Sequence, residues 1–187
     1  MPKKQASTRI IGGSLKGSKL PYRKNKSIRP TENKTKETLF NWLLNDLKGK
    51  TCLDMFAGSG SLGIEALSRG AEKVVFIEKQ KSQSDSLKTN LNRLNVDHYS
   101  HVLNGNAFSI DFNNLPYQFD LIFIDPPFRE NLIQRSLNLI TSKNILSPKG
   151  LIYLECEAEL ELEEITADLK LIKRSKGGQA HFYLYES

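Results

Sequence analysis

Residues 123–130, with the sequence FIDPPFRE, combine groups that could position an amine for a reaction. An apolar run ends at Asp125, and two prolines and then Phe128 follow. Each proline has a fixed φ and no N–H, and it pushes the residue before it toward extended backbone. The Asp125 carboxylate and the Pro126 carbonyl are therefore expected to form a rigid pair of acceptors, one for each N–H of an exocyclic amine. The candidate catalytic residues are Asp125, Pro126, Pro127 and Phe128, the last of which would stack on a nucleobase.

The alternative for this segment is structural. The two prolines could simply end a strand, and Phe128 could belong to the core. The segment alone does not decide between the two interpretations, so the rest of the chain must.

A second candidate site is the glycine-rich loop within LDMFAGSGSLG, residues 53–63. Gly58, Gly60 and Gly63 match the pattern G-x-G-x-x-G between a predicted strand and a predicted helix, where backbone can approach a ligand at the helix N-terminus. Glu78 ends the next predicted strand, twenty residues after Gly58, where a carboxylate can accept hydrogen bonds from ribose hydroxyls. The pattern predicts a nucleotide-like ligand, and the alternative is a tight strand–helix turn that binds nothing.

Asp54 lies in the first predicted strand of the sheet, four residues before Gly58, and it restricts the class of ligand that the loop can bind. A carboxylate at that point is poorly suited to a pyrophosphate and well suited to a cation. S-adenosylmethionine carries a sulfonium and an ammonium group and no phosphate. We therefore expect S-adenosylmethionine as the cofactor and no metal site. A nicotinamide-dependent oxidoreductase, or a nucleotide binder without catalysis, is the alternative.

The elements that position these groups alternate between strand and helix from residue 50 onward. Apolar runs predict five strands, and helical periodicity lies between several of them. A closing pair of strands with a turn between them predicts an antiparallel hairpin. The predicted fold class is α/β, a mostly parallel seven-stranded sheet with helices on both faces and a C-terminal antiparallel hairpin. The predicted strands are residues 51–56, 73–78, 101–107, 119–125, 150–157, 169–175 and 180–185.

Two further elements are predicted before the sheet. The segment RIIGGSLKGSKLPY, residues 9–22, has the interleaved apolar residues and glycines of a short hairpin. Thr31 can cap a following helix, with Pro30 fixing its start. The apolar face of that helix is predicted to consist of Leu39, Phe40, Leu43, Leu44 and Leu47. We expect a basic hairpin extension over residues 1–30 and one large domain over residues 31–187.

Positive charge is concentrated at the N-terminus. Residues 1–36 contain eleven of the 27 lysines and arginines but only one of the 21 acidic residues. A basic extension on a mildly acidic body indicates a polyanionic partner, most simply nucleic acid. The alternative is a solvated tail without a partner.

The rest of the composition gives no sign of a membrane-spanning, secreted or metal-binding protein. No apolar run is long enough to span a membrane, and the first residues lack the apolar core of a secretory signal. Cys52 and Cys156 lie in predicted strands without metal-ligand spacing, so we expect buried, reduced thiols. A cytoplasmic location is expected.

The loop sequence LDMFAGSGSLGIEA resembles the first motif of the class I S-adenosylmethionine-dependent methyltransferases. The resemblance implies their Rossmann-like fold, with the loop Phe56–Gly60 around the methionine moiety, Glu78 on the ribose and Asn106 and Ala107 beside the adenine. Many members carry Asp where Asn106 stands here. The implied cofactor-binding residues are Arg29, Thr31, Asp54, Phe56, Ala57, Gly58, Ser59, Gly60, Glu78, Lys79, Asn106, Ala107 and Asp125.

Five segments together resemble one family. RIIGGSLKG, RPTENKTKETLFNWL, LDMFAGSGSLGIEALSRGA, IDPPF and GGQAHFYLY are similar, in that order, to the bacterial RsmD family of 16S ribosomal RNA guanine-N2 methyltransferases. The resemblance implies a cytoplasmic monomer that methylates one guanine of 16S ribosomal RNA, within a small-subunit particle. It also implies that Arg29 and Thr31 close over the methyl donor. The implied RNA-binding residues are Arg9, Lys16, Lys19, Arg23 and Lys24.

The other reading of D-P-P-F is an amino methyltransferase that acts on DNA adenine or on a protein glutamine. Asp rather than Asn before the prolines counts against it, as does the lack of a separate DNA-recognition domain in this sequence.

Overall fold

The computed structural model describes residues 5–23, 33–44, 46–115, 118–127, 131–157, 168–177 and 180–187. An N-terminal hairpin and a larger sheet contain the strands of the described residues. The strands are β1 (Gln5–Arg9), β2 (Lys19–Arg23), β3 (Thr51–Asp54), β4 (Lys73–Glu78), β5 (Ser100–Asn104), β6 (Phe119–Ile124), β7 (Leu146–Glu157), β8 (Lys170–Gly177) and β9 (Ala180–Glu186). The α-helices are α1 (Asn33–Trp42), α2 (Ser61–Ser68), α3 (Lys81–Arg93) and α4 (Leu132–Ser142).

The large sheet has seven strands in the order β5-β4-β3-β6-β7-β9-β8. The first five of these are parallel, whereas β9 is antiparallel to both β7 and β8. The prediction of a mostly parallel seven-stranded sheet with a C-terminal hairpin is therefore confirmed. All the parallel strands end at the same edge of the sheet, which we call the carboxyl edge; the opposite edge is the amino edge.

Several strand ends differ from the predicted bounds. β3 ends at Asp54 rather than at residue 56, because the chain turns there into the glycine loop. β5 ends at Asn104 rather than at residue 107, because the Asn106 side chain accepts from the Phe108 N–H and begins a short 3-10 turn. β7 begins at Leu146, four residues earlier than predicted.

Helices cover both faces of the sheet, so the central strands are apolar on both sides. Leu121 and Phe123 of β6 belong to the core beneath α1, α2 and α3, and Ile122 and Ile124 belong to the core beneath α4. Continuous apolar strands are typical of parallel sheets buried on two faces. The Phe123 ring contacts Phe40 of α1, with centroids 6.2 Å apart, so α1 packs directly behind the last residues of β6. Cys52 and Cys156 are buried, as predicted.

The helix before the sheet is shorter than predicted, and one of its apolar residues was assigned wrongly. Leu39, Phe40, Leu43 and Leu47 are buried, but Leu44 is 67% exposed. Leu44 lies beyond the end of α1, where a turn in which the Asp46 N–H donates to the Leu43 carbonyl breaks the helical periodicity. The predicted capping residues 30 and 31 lie outside the described residues.

The predicted N-terminal hairpin is present and is fixed to the body of the protein. Glu65, a fully buried residue of α2, accepts hydrogen bonds from the N–H groups of Ile11 and Gly12, each at 2.8 Å, and from Arg69 Nε at 2.9 Å. The buried Lys36 of α1 donates to the Arg9 carbonyl at 2.5 Å. A charged network thus ties the hairpin to α1 and α2.

No helix among the described segments is long and apolar enough to cross a membrane.

Candidate active site

Three carboxylates meet at the carboxyl edge. Asp54 ends β3 and Glu78 ends β4, while Asp125 directly follows β6. β3 lies between the other two strands, and Asp54 pairs in register with Phe76 on one side and Phe123 on the other. The structure therefore brings together acidic residues that are separated by up to 71 positions in the sequence.

Asp54 is almost completely buried, with 3% of its surface exposed. Burial raises the pKa of its carboxyl from 3.8 to about 7; the hydrogen bond from the Gly63 N–H opposes that rise, and the nearby charges of Asp125 and Glu78 add to it. The Gly63 N–H, at 3.1 Å from Oδ2, belongs to the first turn of α2. A cation placed beside a buried carboxylate with two acidic neighbours strongly favours the charged form of that carboxylate.

The glycine loop has the conformation that its sequence predicts. Gly58 and Gly60 have φ values of 52° and 77°, which L side chains rarely adopt. Gly63 serves packing instead, because a Cβ there would lie 2.3 Å from the Phe76 ring of β4. The loop is thus held close to the sheet, with α2 starting immediately behind it.

Glu78 holds the loop in place. Its Oε2 accepts from the Gly58 N–H at 2.8 Å, and its Oε1 accepts from the Gln80 N–H at 2.6 Å. Burial raises the pKa of the Glu78 carboxyl, while the hydrogen bonds from the Gln80 and Gly58 N–H groups lower it. Each oxygen keeps a second lone pair for a ribose hydroxyl.

Glu78 is supported by a residue that was not predicted from the sequence. Asn104, at the end of β5, donates through Nδ2 to the backbone carbonyl of Glu78 at 2.8 Å and to that of Lys79 at 3.3 Å. The available signal was a polar residue that interrupts the apolar part of the strand predicted over residues 101–107. Lys79 itself is exposed.

The residues predicted beside an adenine lie next to the glycine loop. Asn106 is exposed and Ala107 is buried. The ring of Phe108 lies 6.2 Å from that of Phe56, and the Arg135 guanidinium covers Phe108 at 4.1 Å. These rings form an apolar wall behind the loop, in which Ala57 is buried and Ser59 is half-buried.

The corner after β6 has its predicted place at the carboxyl edge. Asp125 is half-buried, Pro126 is buried and Pro127 is exposed. Phe128, Arg29, Thr31 and Lys24 lie outside the described residues, so their predicted roles stay predictions.

Two buried polar residues of β7 lie next to this corner and are absent from the sequence-based site. Ile124 pairs in register with Leu154, so Asp125 and Glu155 follow on neighbouring strands. The Tyr153 hydroxyl donates to Glu155 Oε2 at 3.3 Å, and both residues are buried. Burial raises the pKa of Tyr153 well above its usual value, with the charges of Glu155 and Asp125 adding to the rise.

The predicted RNA-binding residues lie elsewhere. Arg9, Lys16 and Lys19 are exposed on the hairpin, and Arg23 is the last residue of β2. They are not part of the acidic cluster at the carboxyl edge.

Comparison with known proteins shows close relatives. A family model described as Conserved hypothetical protein 95 matches residues 8–186. The ribosomal RNA small subunit methyltransferase D of Haemophilus influenzae is 41% identical over 191 residues, which cover 100% of this chain and 97% of that protein. The protein of the same name from Escherichia coli K12 is 40% identical over 179 residues, which cover 95% and 89%.

Solved structures agree on the fold. That of yhhF from Escherichia coli is 39% identical, with a TM-score of 0.86, and the match covers 97% of this chain and 98% of that one. A Thermus thermophilus structure, described as the 16S rRNA N2 methyltransferase RsmC in complex with AdoMet and guanosine, is 20% identical, with a TM-score of 0.74; the match covers 98% of this chain and 50% of that one. The fold is that of the class I methyltransferases, and this chain belongs to the RsmD family.

Proposed function

We propose that this chain transfers a methyl group from S-adenosylmethionine to the exocyclic N2 amine of a guanine in 16S ribosomal RNA of the small subunit. One observation carries the proposal: the buried Asp54 and the Asp125-Pro126 corner end adjacent strands at the same edge of the sheet. A site for a cationic donor and a site for an amine are therefore neighbours.

The residues fit a cationic donor. Burial raises the pKa of Asp54, the nearby charges of Asp125 and Glu78 add to the rise, and a positive group beside Asp54 favours its charged form. Glu78 takes the ribose, and the loop Phe56–Gly60 surrounds the methionine moiety. Asn106 and Ala107 flank the adenine. When bound, S-adenosylmethionine supplies a methyl carbon activated by its sulfonium.

The corner orients the acceptor. The Asp125 carboxylate and the Pro126 carbonyl each accept one N–H of the amine, which directs the nitrogen lone pair toward the donor side. A nitrogen–carbon bond forms as the sulfur–carbon bond breaks, and the nitrogen loses one proton. Asp125 is the carboxylate placed to hold that proton. Phe128 stacks on the base.

Three observations support this substrate. The relatives above are named for small-subunit ribosomal RNA, and the segments quoted earlier resemble guanine-N2 enzymes. The basic hairpin fits RNA phosphates. The proposal includes a cytoplasmic monomer that acts on a small-subunit particle, with residues 1–30 as the RNA-binding extension of a methyltransferase domain over residues 31–187.

Nucleoside mass spectrometry tests the proposal. Small ribosomal subunits from a strain that lacks this protein are incubated with it and S-adenosylmethionine, and their RNA is digested to nucleosides. We expect one new N2-methylguanosine per subunit. Methylation of adenine or cytosine, or no methylation of either subunits or naked 16S RNA, would refute the proposed substrate.

A further inference from the structure

The tip of the N-terminal hairpin lies at the amino edge of the sheet. The Ser14 N–H donates to the carbonyl of Ser68, the last residue of α2, at 2.7 Å. α2 starts at the carboxyl edge with the glycine loop and runs back toward the amino edge. The tip is therefore at the far end of α2 from Asp125.

Two cations face each other across the hairpin near this tip. Arg9 and Lys19 are directly opposite in the antiparallel pairing, and both are exposed. The neighbouring pair Thr8 and Leu20 points inward and is buried, so the alternation of the strands turns the cations outward. Like charges directly opposite on one face of a sheet destabilise the pairing.

A third cation comes from the body of the protein. Arg93, exposed in the last turn of α3, donates from Nη2 to the Lys19 carbonyl at 2.5 Å. β2 is held along α3 by this contact and by Asn90 Nδ2, which donates to the Pro21 carbonyl at 2.9 Å. In the part of the chain that the structure describes, no carboxylate forms an ion pair with Arg9, Lys19 or Arg93.

We propose that Arg9, Lys19 and Arg93 form a phosphate-binding site for a stretch of the RNA substrate remote from the target base. Three exposed cations lie on adjoining elements, Arg9 opposite Lys19 in the hairpin and Arg93 bonded to the Lys19 carbonyl, and such a group fits a phosphodiester backbone. The inference rests on the proposed function and adds to it a residue of the catalytic domain, Arg93. The hairpin and α3 together, rather than the hairpin alone, then read the RNA backbone.

The location sets the size of the RNA that can use this site. α3 has 13 residues and runs from the carboxyl edge to Arg93, a length of about 20 Å at 1.5 Å per residue. About 20 Å corresponds to roughly six stacked nucleotides at ~3.4 Å each. The site therefore contributes to the affinity for the RNA and not to the chemical step.

The experiment compares Lys19→Gln and Arg93→Gln with the wild type. Glutamine at position 19 leaves the carbonyl that accepts from Arg93 in place. In Arg93→Gln, the bond from Asn90 Nδ2 to the Pro21 carbonyl still holds β2 along α3, so each variant removes one charge and keeps a docking contact. The matched control is Lys143→Gln. Lys143 is exposed and follows α4, on the opposite face of the sheet. Binding to small subunits lacking the modification is measured between 0.05 and about 0.3 M salt, with kcat and KM for methyl transfer.

The logarithm of affinity falls as the logarithm of salt concentration rises, and we expect each of the two variants to make that fall shallower by about 0.7 to 0.9. The loss of affinity at 0.1 M salt is then roughly five- to eightfold. KM should rise while kcat stays unchanged, and the Lys143→Gln slope should equal that of the wild type. Wild-type slopes in both variants would overturn the inference and leave the proposed function intact. Wild-type protein that binds the subunits with the full slope but forms no N2-methylguanosine would instead overturn the proposed function.

Discussion

Replacing Asp54 with Asn should stabilise the protein and weaken its binding of the donor. Asp54 is buried with a carboxyl pKa of about 7, whereas the ordinary value is 3.8. Asparagine has nearly the same shape, and its amide oxygen can still accept from the Gly63 N–H. The substitution therefore removes the buried charge and little else.

The magnitude follows from the pKa. A shift of about three units, at 1.36 kcal/mol each, means that the charged carboxylate costs up to about 4 kcal/mol of unfolding free energy. The folded protein keeps a proton that the unfolded chain releases between pH 3.8 and about 7, so the free energy of unfolding falls as pH rises through that window. The gain from Asp54→Asn should thus grow by about 2 to 3 kcal/mol between pH 5 and pH 8 and then level off.

The effect on donor binding has the opposite sign. The charge on Asp54 destabilises the protein without the donor, but the same charge stabilises a bound cation. Losing a hydrogen bond to a charged partner costs about 1.5 to 3 kcal/mol. Affinity for S-adenosylmethionine should fall roughly 10- to 100-fold. Asp120→Asn is the control: Asp120 lies at the amino edge, where it accepts from the Thr51 N–H at 2.9 Å, and its loss should leave donor affinity unchanged.

Thermal unfolding at pH 5 and pH 8, together with titration calorimetry with S-adenosylmethionine, measures both effects. A variant less stable than the wild type at pH 8, or one that binds the donor with wild-type affinity, would refute the role given to Asp54.

Three further predictions concern other parts of the site and its supports. Asp125→Ala should reduce kcat by at least 100-fold and leave donor affinity nearly intact, because the carboxylate acts on the acceptor; an equal loss of donor affinity in calorimetry would contradict this. Glu65→Ala should lower the free energy of unfolding by about 3 to 5 kcal/mol, since it leaves Arg69 and two N–H groups of the hairpin without their buried acceptor; a denaturant titration with exposed Glu72→Ala as control checks it. Gly63→Ala should cost about 1 to 3 kcal/mol and weaken donor binding, because its Cβ collides with the Phe76 ring and displaces α2 from β4; unchanged thermal stability would show that the helix has room to move.

The sheet and the position of the active site followed from the sequence because both depend on local patterns. Residues 74–77 are apolar without interruption, which is what burial on two faces requires, and β4 has the predicted bounds, Lys73–Glu78. Asp54, Glu78 and Asp125 could be placed together because parallel strands end at one edge. The error at Leu44 has a local cause as well: helical periodicity gives no signal that α1 stops at Trp42.

Contacts between distant segments could not be predicted in this way. The pair Tyr153 and Glu155 comes next to Asp125 only through the register of β6 against β7. The place of the hairpin tip depends on contacts with α2, which lies more than fifty residues further along the chain. The sequence therefore identified Lys19 as a basic residue, while its distance from Asp125 and its contact with Arg93 required the folded chain.

The most direct test of the central claim is a crystal structure of the protein with S-adenosylhomocysteine and a short RNA that carries the target guanine. We expect the guanine N2 to donate to both the Asp125 carboxylate and the Pro126 carbonyl at about 2.7 to 3.2 Å, with the nitrogen facing the cofactor sulfur. A guanine bound with its N2 turned away from these two oxygens would contradict the account.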